Sequence, residues 1–450
     1  MTVLAGARIG LVLRPGEPGH QACALALAKR LSTCGCHVTF IGLADDRAPT
    51  DAAGFAFLTL SESAAPLGTI PREKELARLR SGPIGALAQD FRWVALHKRI
   101  VDALPESFDR VRSAHLDLVI CDIGNPIAAL VALGLRLPCM LFETTVPRDN
   151  VSAPPTWTVL MPRSDGRMPL RARIAWLRAG LRYFQDLIAP LFGLGQRQLS
   201  RRLLGSVSTI RTFADLRRQL PRIVACPREL EFPGAHIQHW FYVDALVDLD
   251  RAREPFSWDG IPTDRDLVYI AMGTQTWLIR QRDRLFDTFL QAASLLPDAH
   301  ILIAAGDAQA KLGRVPGNVS VVKHAAQLAV LSRASVMVTH GGLNSVKECI
   351  SMGVPMIVLP VDRDQPGNAA RVAYHKLGLI EDYRSLDAAR LSIAINDVRR
   401  NPAYRTAALR MKKAFEACRS RNEVVDVIAG CVSQSAAAGR APTRALQELA

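Results

Sequence analysis

The sequence predicts an α/β protein made of two doubly wound parallel sheets, each flanked by helices. Three observations lead there. The 450-residue chain is too long for one core and suits two domains of ordinary size. Short apolar runs alternate with helical stretches through both halves, the pattern of parallel strands joined by crossover helices. One of those runs, Val336-Met337-Val338, delivers His340 and a pair of glycines directly before a helix, which makes a strand–turn–helix unit.

In the N-terminal half the strand-like runs are Ile9 to Leu13, Val38 to Phe40, Leu116 to Cys121 and Pro138 to Phe142. The stretch Ala22 to Leu31 is rich in alanine and leucine and stops near Gly35, as a helix does. Pro233 to Pro262 is mixed, polar and bounded by prolines, and reads as a linker. A second alternation follows: Leu267 to Met272, Ile301 to Ala304, Val319 to Val322, Val336 to Thr339 and Pro355 to Leu359. The expected organisation is an N-terminal domain over 1–232, a linker over 233–262 and a C-terminal domain over 263–432. The last helix can pack back on the first domain, and a loosely ordered tail covers 433–450. No short-period repeat is present.

Composition narrows the class. A hydrophobic fraction of 49% supplies globular cores, and 22% charged residues argue against extensive disorder. Nine cysteines are an odd number scattered along a long chain, with Cys34-Gly35-Cys36 the one close pair. Free buried thiols in a reducing cytosol fit that better than a disulfide scaffold or a zinc site. The first seven residues lead straight into a strand-like run without a secretory leader's apolar region, and no uncharged apolar run reaches about 20 residues. The expectation is a cytoplasmic protein.

The net charge of +14 is unevenly placed. Between Arg163 and Arg222 stand 13 arginines, no lysine and three acids (Asp165, Asp186, Asp215), about +10 in all. Within it Ile174, Leu177, Leu181, Phe184, Ile188 and Leu191 recur at helical spacing. Arg171, Arg178 and Arg182 fall on another face, with Trp176 and Tyr183 as interfacial aromatics. Two readings stay open: a domain helix that packs its apolar stripe on the core and solvates its arginines, or a surface for peripheral membrane association at the inner face or for a lipidic acceptor. Charge alone, without a binding motif, does not make a nucleic-acid protein.

The chemistry concentrates between Val338 and Arg371. A helix that starts after Gly341-Gly342 presents unpaired N–H groups and the positive end of its dipole, which favours a phosphate, and glycine lets the phosphate approach the backbone. Glu348 is one helical turn beyond Asn344 and can reach a ribose diol. Asp364 and Gln365, after the apolar run Pro355 to Leu359, offer the acceptors and donors that sugar hydroxyls need.

This ordered set (His340, Gly341, Gly342, Asn344, Ser345, Glu348, Gly353-Val354-Pro355, Asp364-Gln365) resembles the nucleotide-sugar signature of family-one GT-B glycosyltransferases. The resemblance covers most of the chain. The opening RPGEPGHQACALALAKRLSTCGCHVTF looks like that family's P-x-x-G-H, helix, G-H-x-V-T-F start, with Cys36-His37 in place of the usual G-H. CPRELEFPG resembles the segment before its linker, and VYIAMGT the first strand and phosphate loop of its second half. Bacterial zeaxanthin and macrolide glycosyltransferase-like enzymes look nearest. The resemblance implies two Rossmann-like domains facing across a cleft. It places Gly273, Thr274, His340, Gly342, Asn344 and Ser345 around the donor diphosphate, and Glu348 with Gln327 at the nucleoside. Asp364 and Gln365 fall at the donor sugar. Where many members carry W-x-P-Q, this chain has His324-Ala325-Ala326-Gln327, so His324 is the base-stacking candidate, with less ring area than an indole.

Glycosyl transfer needs a base for the acceptor hydroxyl. His20 follows the first strand, and an ordinary histidine titrates near 6.5, suited to removing a proton at neutral pH. Asp122, directly after Leu118 to Cys121, is the acid that would fix its tautomer, and the family has a histidine–aspartate dyad at these places. The resemblance implies an inverting, metal-independent enzyme with no cofactor, the helix N-terminus neutralising the leaving diphosphate. Its partners are a UDP- or dTDP-sugar as co-substrate and a hydrophobic small-molecule acceptor of carotenoid, polyketide, lipid or phenol type. Two other readings are a non-catalytic nucleotide-sugar-binding auxiliary subunit and a GT-B sugar-nucleotide epimerase. The dyad argues against the first and the basic amphipathic segment against the second.

Overall fold

The computed structural model describes residues 4–60, 62–72, 99, 102–150, 152–162, 167–177, 190–205, 208–234, 237, 239–273, 279, 281–306 and 313–437. Two parallel sheets organise them. The first contains β1 (Arg8–Val12), β2 (His37–Gly42), β3 (Ala56–Thr59), β4 (Leu118–Asp122), β5 (Cys139–Glu143), β6 (Arg222–Val224) and β7 (Trp240–Tyr242), in the order β3-β2-β1-β4-β5-β6-β7. The second contains β8 (Asp266–Ala271), β9 (Ala299–Ala304), β10 (Val319–Val322), β11 (Ala334–Thr339), β12 (Met356–Val358) and β13 (Gly378–Ile380), in the order β10-β9-β8-β11-β12-β13. The alternation of apolar runs and helices therefore reports the two doubly wound sheets correctly.

Both orders reverse direction once. In the first sheet the chain moves outward from β1 to β3 and returns to β4 on the other side of β1; in the second it moves outward from β8 to β10 and returns to β11. At such a switch point the flanking helices diverge and leave a crevice at the carboxyl ends of the central strands, which is where ligands of open α/β sheets sit. The register places Val12 beside Cys121 in one sheet and Ala271 beside Thr339 in the other. Asp122 and His340 each come one residue later, at the two crevices.

The helices that position the crevices are α1 (Pro18–Thr33), α2 (Gln327–Leu331), α3 (Leu343–Met352), α4 (Gln365–Tyr374), α5 (Pro402–Arg421) and α6 (Glu423–Ala437). Proline in the first turn starts α1 and α4 where a missing N–H costs nothing. Gly342 caps the start of α3, and Gly353, at φ +70°, ends it in the left-handed conformation that glycine adopts without strain.

Apolar clusters cover both faces of each sheet. One is continuous between the two: Val224, Leu230 and Trp240 pack in the same cluster as Met337, Leu343, Val346 and Phe415. In another, Val424, Ile428 and Cys431 of α6 join Leu4, Ile9, Leu27 and Leu31 in the core of the first sheet. The chain thus closes on its own beginning.

The stretch 233–262, expected as linker, contributes β7, which pairs with β6 along Arg222–Val224. Its three residues are too short to show a period. All nine cysteines are unbridged. Among the described residues no helix is long and apolar enough to cross a membrane, and no three His, Cys, Asp or Glu side chains converge as a metal site would require.

Candidate active site

Starting from the first crevice, His20 lies in the opening turn of α1 rather than in the loop before it. Its Nδ1 is 2.7 Å from Asp122 Oδ2 and 2.6 Å from Thr144 Oγ1. The Gly124 N–H donates to the other carboxylate oxygen of Asp122 at 2.7 Å. A carboxylate only accepts, so Nδ1 carries the proton and Nε2 is left with its lone pair, the form a general base needs. Thr144, which follows β5 at a strand end as Asp122 ends β4, is a third member that sequence reasoning missed. The same rule, a polar residue at the carboxyl end of a central strand, would have found it.

At the second crevice the His340 ring is enclosed by glycine backbone. A Cβ on Gly273 (φ +73°) would stand 2.5 Å from its Cε1, and one on Gly342 would stand 2.6 Å from its Nε2. Close approach requires glycine at both positions, and at Gly273 the backbone angle does too. Burial lowers the His340 pKa to about 4 against the opposing pull of Asp364, so the imidazole is neutral at pH 7. It brings a ring N–H to this corner rather than a full charge. Positive potential comes instead from the start of α3, with Gly342, Asn344 and Ser345 in its first turn.

The two crevices face one another and are joined. Asn344 Nδ2 donates to the Gly19 carbonyl at 2.5 Å, one residue before His20. One turn further on, buried Lys347 Nζ donates to the Ala225 carbonyl at 2.9 Å and lies 3.6 Å from Cys23 Sγ of α1. Arg363 reaches Glu17 at 3.0 Å. The helix carrying His20 and the helix that starts after Gly342 are docked start to start.

The nucleoside-side residues also converge. Gln327 Nε2, at the start of α2, donates to Glu348 Oε2 at 2.5 Å and to Ser345 Oγ at 3.3 Å. Glu348 Oε1 accepts from Arg251 Nη1 at 3.1 Å, a partner 97 positions earlier in sequence that no motif announces. Burial raises the Glu348 pKa, while Arg251 and Gln327 oppose the rise. Ser345 therefore bonds on the Gln327–Glu348 side, away from the ring of His340. His324 is exposed just before α2.

Asp364 and Gln365 are both buried at the start of α4. Gln365 Oε1 accepts from the N–H groups of Val361 and Asp362 at 2.8 and 3.1 Å, so only its amide nitrogen remains for a ligand. Asp364 Oδ2 accepts from Asn368 Nδ2 at 3.1 Å. The same helix meets the first unit where the Gly367 N–H donates to the Thr156 carbonyl at 2.7 Å. Thr274, expected at the diphosphate, lies outside the described residues, as do Arg178 and Arg182.

Residues 288–430 match the family described as erythromycin biosynthesis protein CIII-like, C-terminal domain. The zeaxanthin glucosyltransferase of Pantoea ananas is 27% identical over 81% of this chain and 83% of its own length. The chain is similar to the family-one GT-B glycosyltransferases. A further relative of this glycosyltransferase, the uncharacterised UDP-glucosyltransferase YdhE of Bacillus subtilis, is 32% identical over 38% of the chain, a match that spans 43% of that relative's length. Among solved structures, the glycotransferase of kitacinnamycin superposes with a TM-score of 0.72 at 20% identity, covering 95% of this chain and 99% of that one.

Proposed function

We propose that this glycosyltransferase moves a hexose from a UDP- or dTDP-sugar to a hydroxyl of a hydrophobic small-molecule acceptor, with inversion and without a metal or other cofactor. The observation that carries the reading is the Asn344–Gly19 bond, which holds the helix of the His20 base against the helix whose N-terminus suits a leaving diphosphate. In the proposed reaction His20 Nε2 takes the acceptor proton as its oxygen attacks the anomeric carbon in line with the departing diphosphate. Asp122 holds Nδ1–H and stabilises the imidazolium. The first turn of α3, with Gly273, Thr274 and the neutral His340, receives the charge that develops on the leaving oxygens. Glu348, Gln327 and His324 serve the nucleoside; Asp364 and the free amide of Gln365 serve the sugar.

Names of relatives support the classes chosen. Two of them are glucosyltransferases, one named for UDP and one for a carotenoid. A lipophilic acceptor also suits the apolar stripe of residues 170–177, described below, and a cytoplasmic enzyme that works at the inner membrane face. An auxiliary subunit would have no use for an assembled His20–Asp122 pair.

The test is His20→Ala, assayed by product mass spectrometry with UDP- and dTDP-sugars and a panel of lipophilic alcohols. Turnover should fall by about 100- to 10,000-fold while nucleotide affinity is kept. Asp122→Asn should lower turnover as well, because an amide can donate to Nδ1 and so favour the tautomer that has lost its base. Near-full turnover in the alanine variant at neutral pH would remove His20 from the role.

A further inference from the structure

The proposed nucleoside site has a feature that the family signature does not contain. Both oxygens of Glu348 are engaged, one by Gln327 Nε2 at 2.5 Å and the other by Arg251 Nη1 at 3.1 Å. Arg251 belongs to neither sheet. It stands in a single 3₁₀ stretch, Leu249–Arg253, in the segment that joins them, and its Nε is in turn held by Glu254 Oε1 at 3.2 Å. Glu348 is almost wholly buried on α3.

We propose that Arg251 is a positioning residue of the nucleoside site, bonding one oxygen of Glu348 from the connecting segment so that the carboxylate stays in its charged, hydroxyl-accepting form. The inference rests on Glu348 holding the ribose. A carboxylate can accept two hydroxyls only in its charged form, and burial works against that form. The groups that face Glu348 are few. Lys347 and Cys349 flank it on its own helix, Tyr269 of β8 touches Gln327 at 3.5 Å, and Glu254 lies behind Arg251. Arg251 is therefore the cation bonded directly to it, and Lys347 turns its ammonium towards Ala225 and Cys23 instead. Each carboxylate oxygen has two lone pairs, so a ribose hydroxyl can join Arg251 on Oε1 without expelling it. A connecting-segment residue then contributes to nucleotide affinity without belonging to the phosphate, sugar or base sets.

The experiment is calorimetric titration of UDP into the full chain from about pH 5.5 to about pH 8.5, for wild type, R251Q, R251K and E348Q. Ratios to wild type cancel the titration of the phosphate itself. Without the guanidinium, Glu348 protonates at higher pH. R251Q should bind about tenfold more weakly than wild type at the acid end and within about twofold at the basic end, as a shift of one pH unit requires. R251K should restore most of the acid-end loss. E348Q should bind weakly throughout, with no pH-dependent ratio. A uniform loss in R251Q at every pH, or wild-type affinity at the acid end, overturns the role of Arg251 while leaving the site standing. Wild-type affinity in E348Q overturns the ribose assignment itself and the inference with it.

Discussion

His340 sits beside the start of α3 with its ring pressed between Gly273 and Gly342, and the loss of hydration there matters more than any neighbour's charge. Burial holds its pKa at about 4, against about 6.5 when the chain is unfolded. The folded protein therefore binds fewer protons than the unfolded one between those values, and stability must rise with pH across that window and be lost as pH falls through it. His300 and His375 are displaced in the same direction by burial and add to the loss. The expected outcome is that His340→Asn narrows the difference in urea midpoint between pH 7 and pH 5, removing up to about 2 kcal/mol of acid sensitivity in the ligand-free protein. A variant with the same acid slope as wild type would place the sensitivity elsewhere. At this scale much was legible. Asp122 and His340 stand at strand ends and Glu348 a helical turn beyond Asn344, whereas His20 and Gln327 are reached through the family resemblance. Thr144 obeys the same rule and was passed over, while Arg251 obeys none, since its partner is brought to it only by the fold of the connecting segment.

Elements tell a different story about legibility. Apolar runs announced most strands, whereas β3 (Ala56–Thr59) and the three-residue β6, β7 and β13 were not announced. β6 even begins with an arginine. Arg222 is fully buried there because Asp149 accepts two bonds from it, at 2.8 and 2.9 Å, and Trp240 lies under its guanidinium at 4.2 Å. A charged residue can enter a central strand when its counter-ion and a ring come with it, and neither is visible in a local window. The basic amphipathic segment is the other surprise. Of the two readings open in sequence, packing of its stripe on the core fails in the described part. Leu170 is 70% exposed, Leu177 68% and Ile174 41%, all on one face of the helical residues 170–177. Trp176 anchors the helix through Nε1 to the Ala153 carbonyl at 2.9 Å and edge-on to Trp157, in the same segment as Thr156, whose carbonyl meets α4. The apolar face is thus tied to the helix of the proposed sugar residues, and exposed Arg171 and Arg173 flank it. Wild-type protein should bind anionic vesicles and release them as salt rises. Replacing Arg171 and Arg173 by glutamate should weaken that binding by roughly thirtyfold or more, at about 1 kcal/mol per arginine, while transfer to a water-soluble acceptor is kept. Indifference of the wild type to such vesicles at low salt would end the membrane reading.

Across the whole molecule, the contacts between the two sheets are as well made as those within them. Arg371 of α4 and Glu231 form a buried ion pair, with Phe232 under the guanidinium at 4.5 Å. Arg30 pairs with Asp244, and α6 fills the core beneath α1. Removal of residues 423–450 would uncover Leu27 and Leu31, and a truncated chain should be expressed as insoluble protein or unfold well below the full chain in a thermal melt. A soluble truncation with an unchanged midpoint would show that α6 only decorates the first sheet. The same helix sets the order in which the molecule can be finished. Leu4 and Ile9 leave the ribosome about 400 residues before Val424, Ile428 and Cys431, their companions in one core. At about 5–20 residues per second the first sheet must wait some tens of seconds with that face bare. For that interval the N-terminal half is a client for chaperones, and it ceases to be one only when α6 has been made.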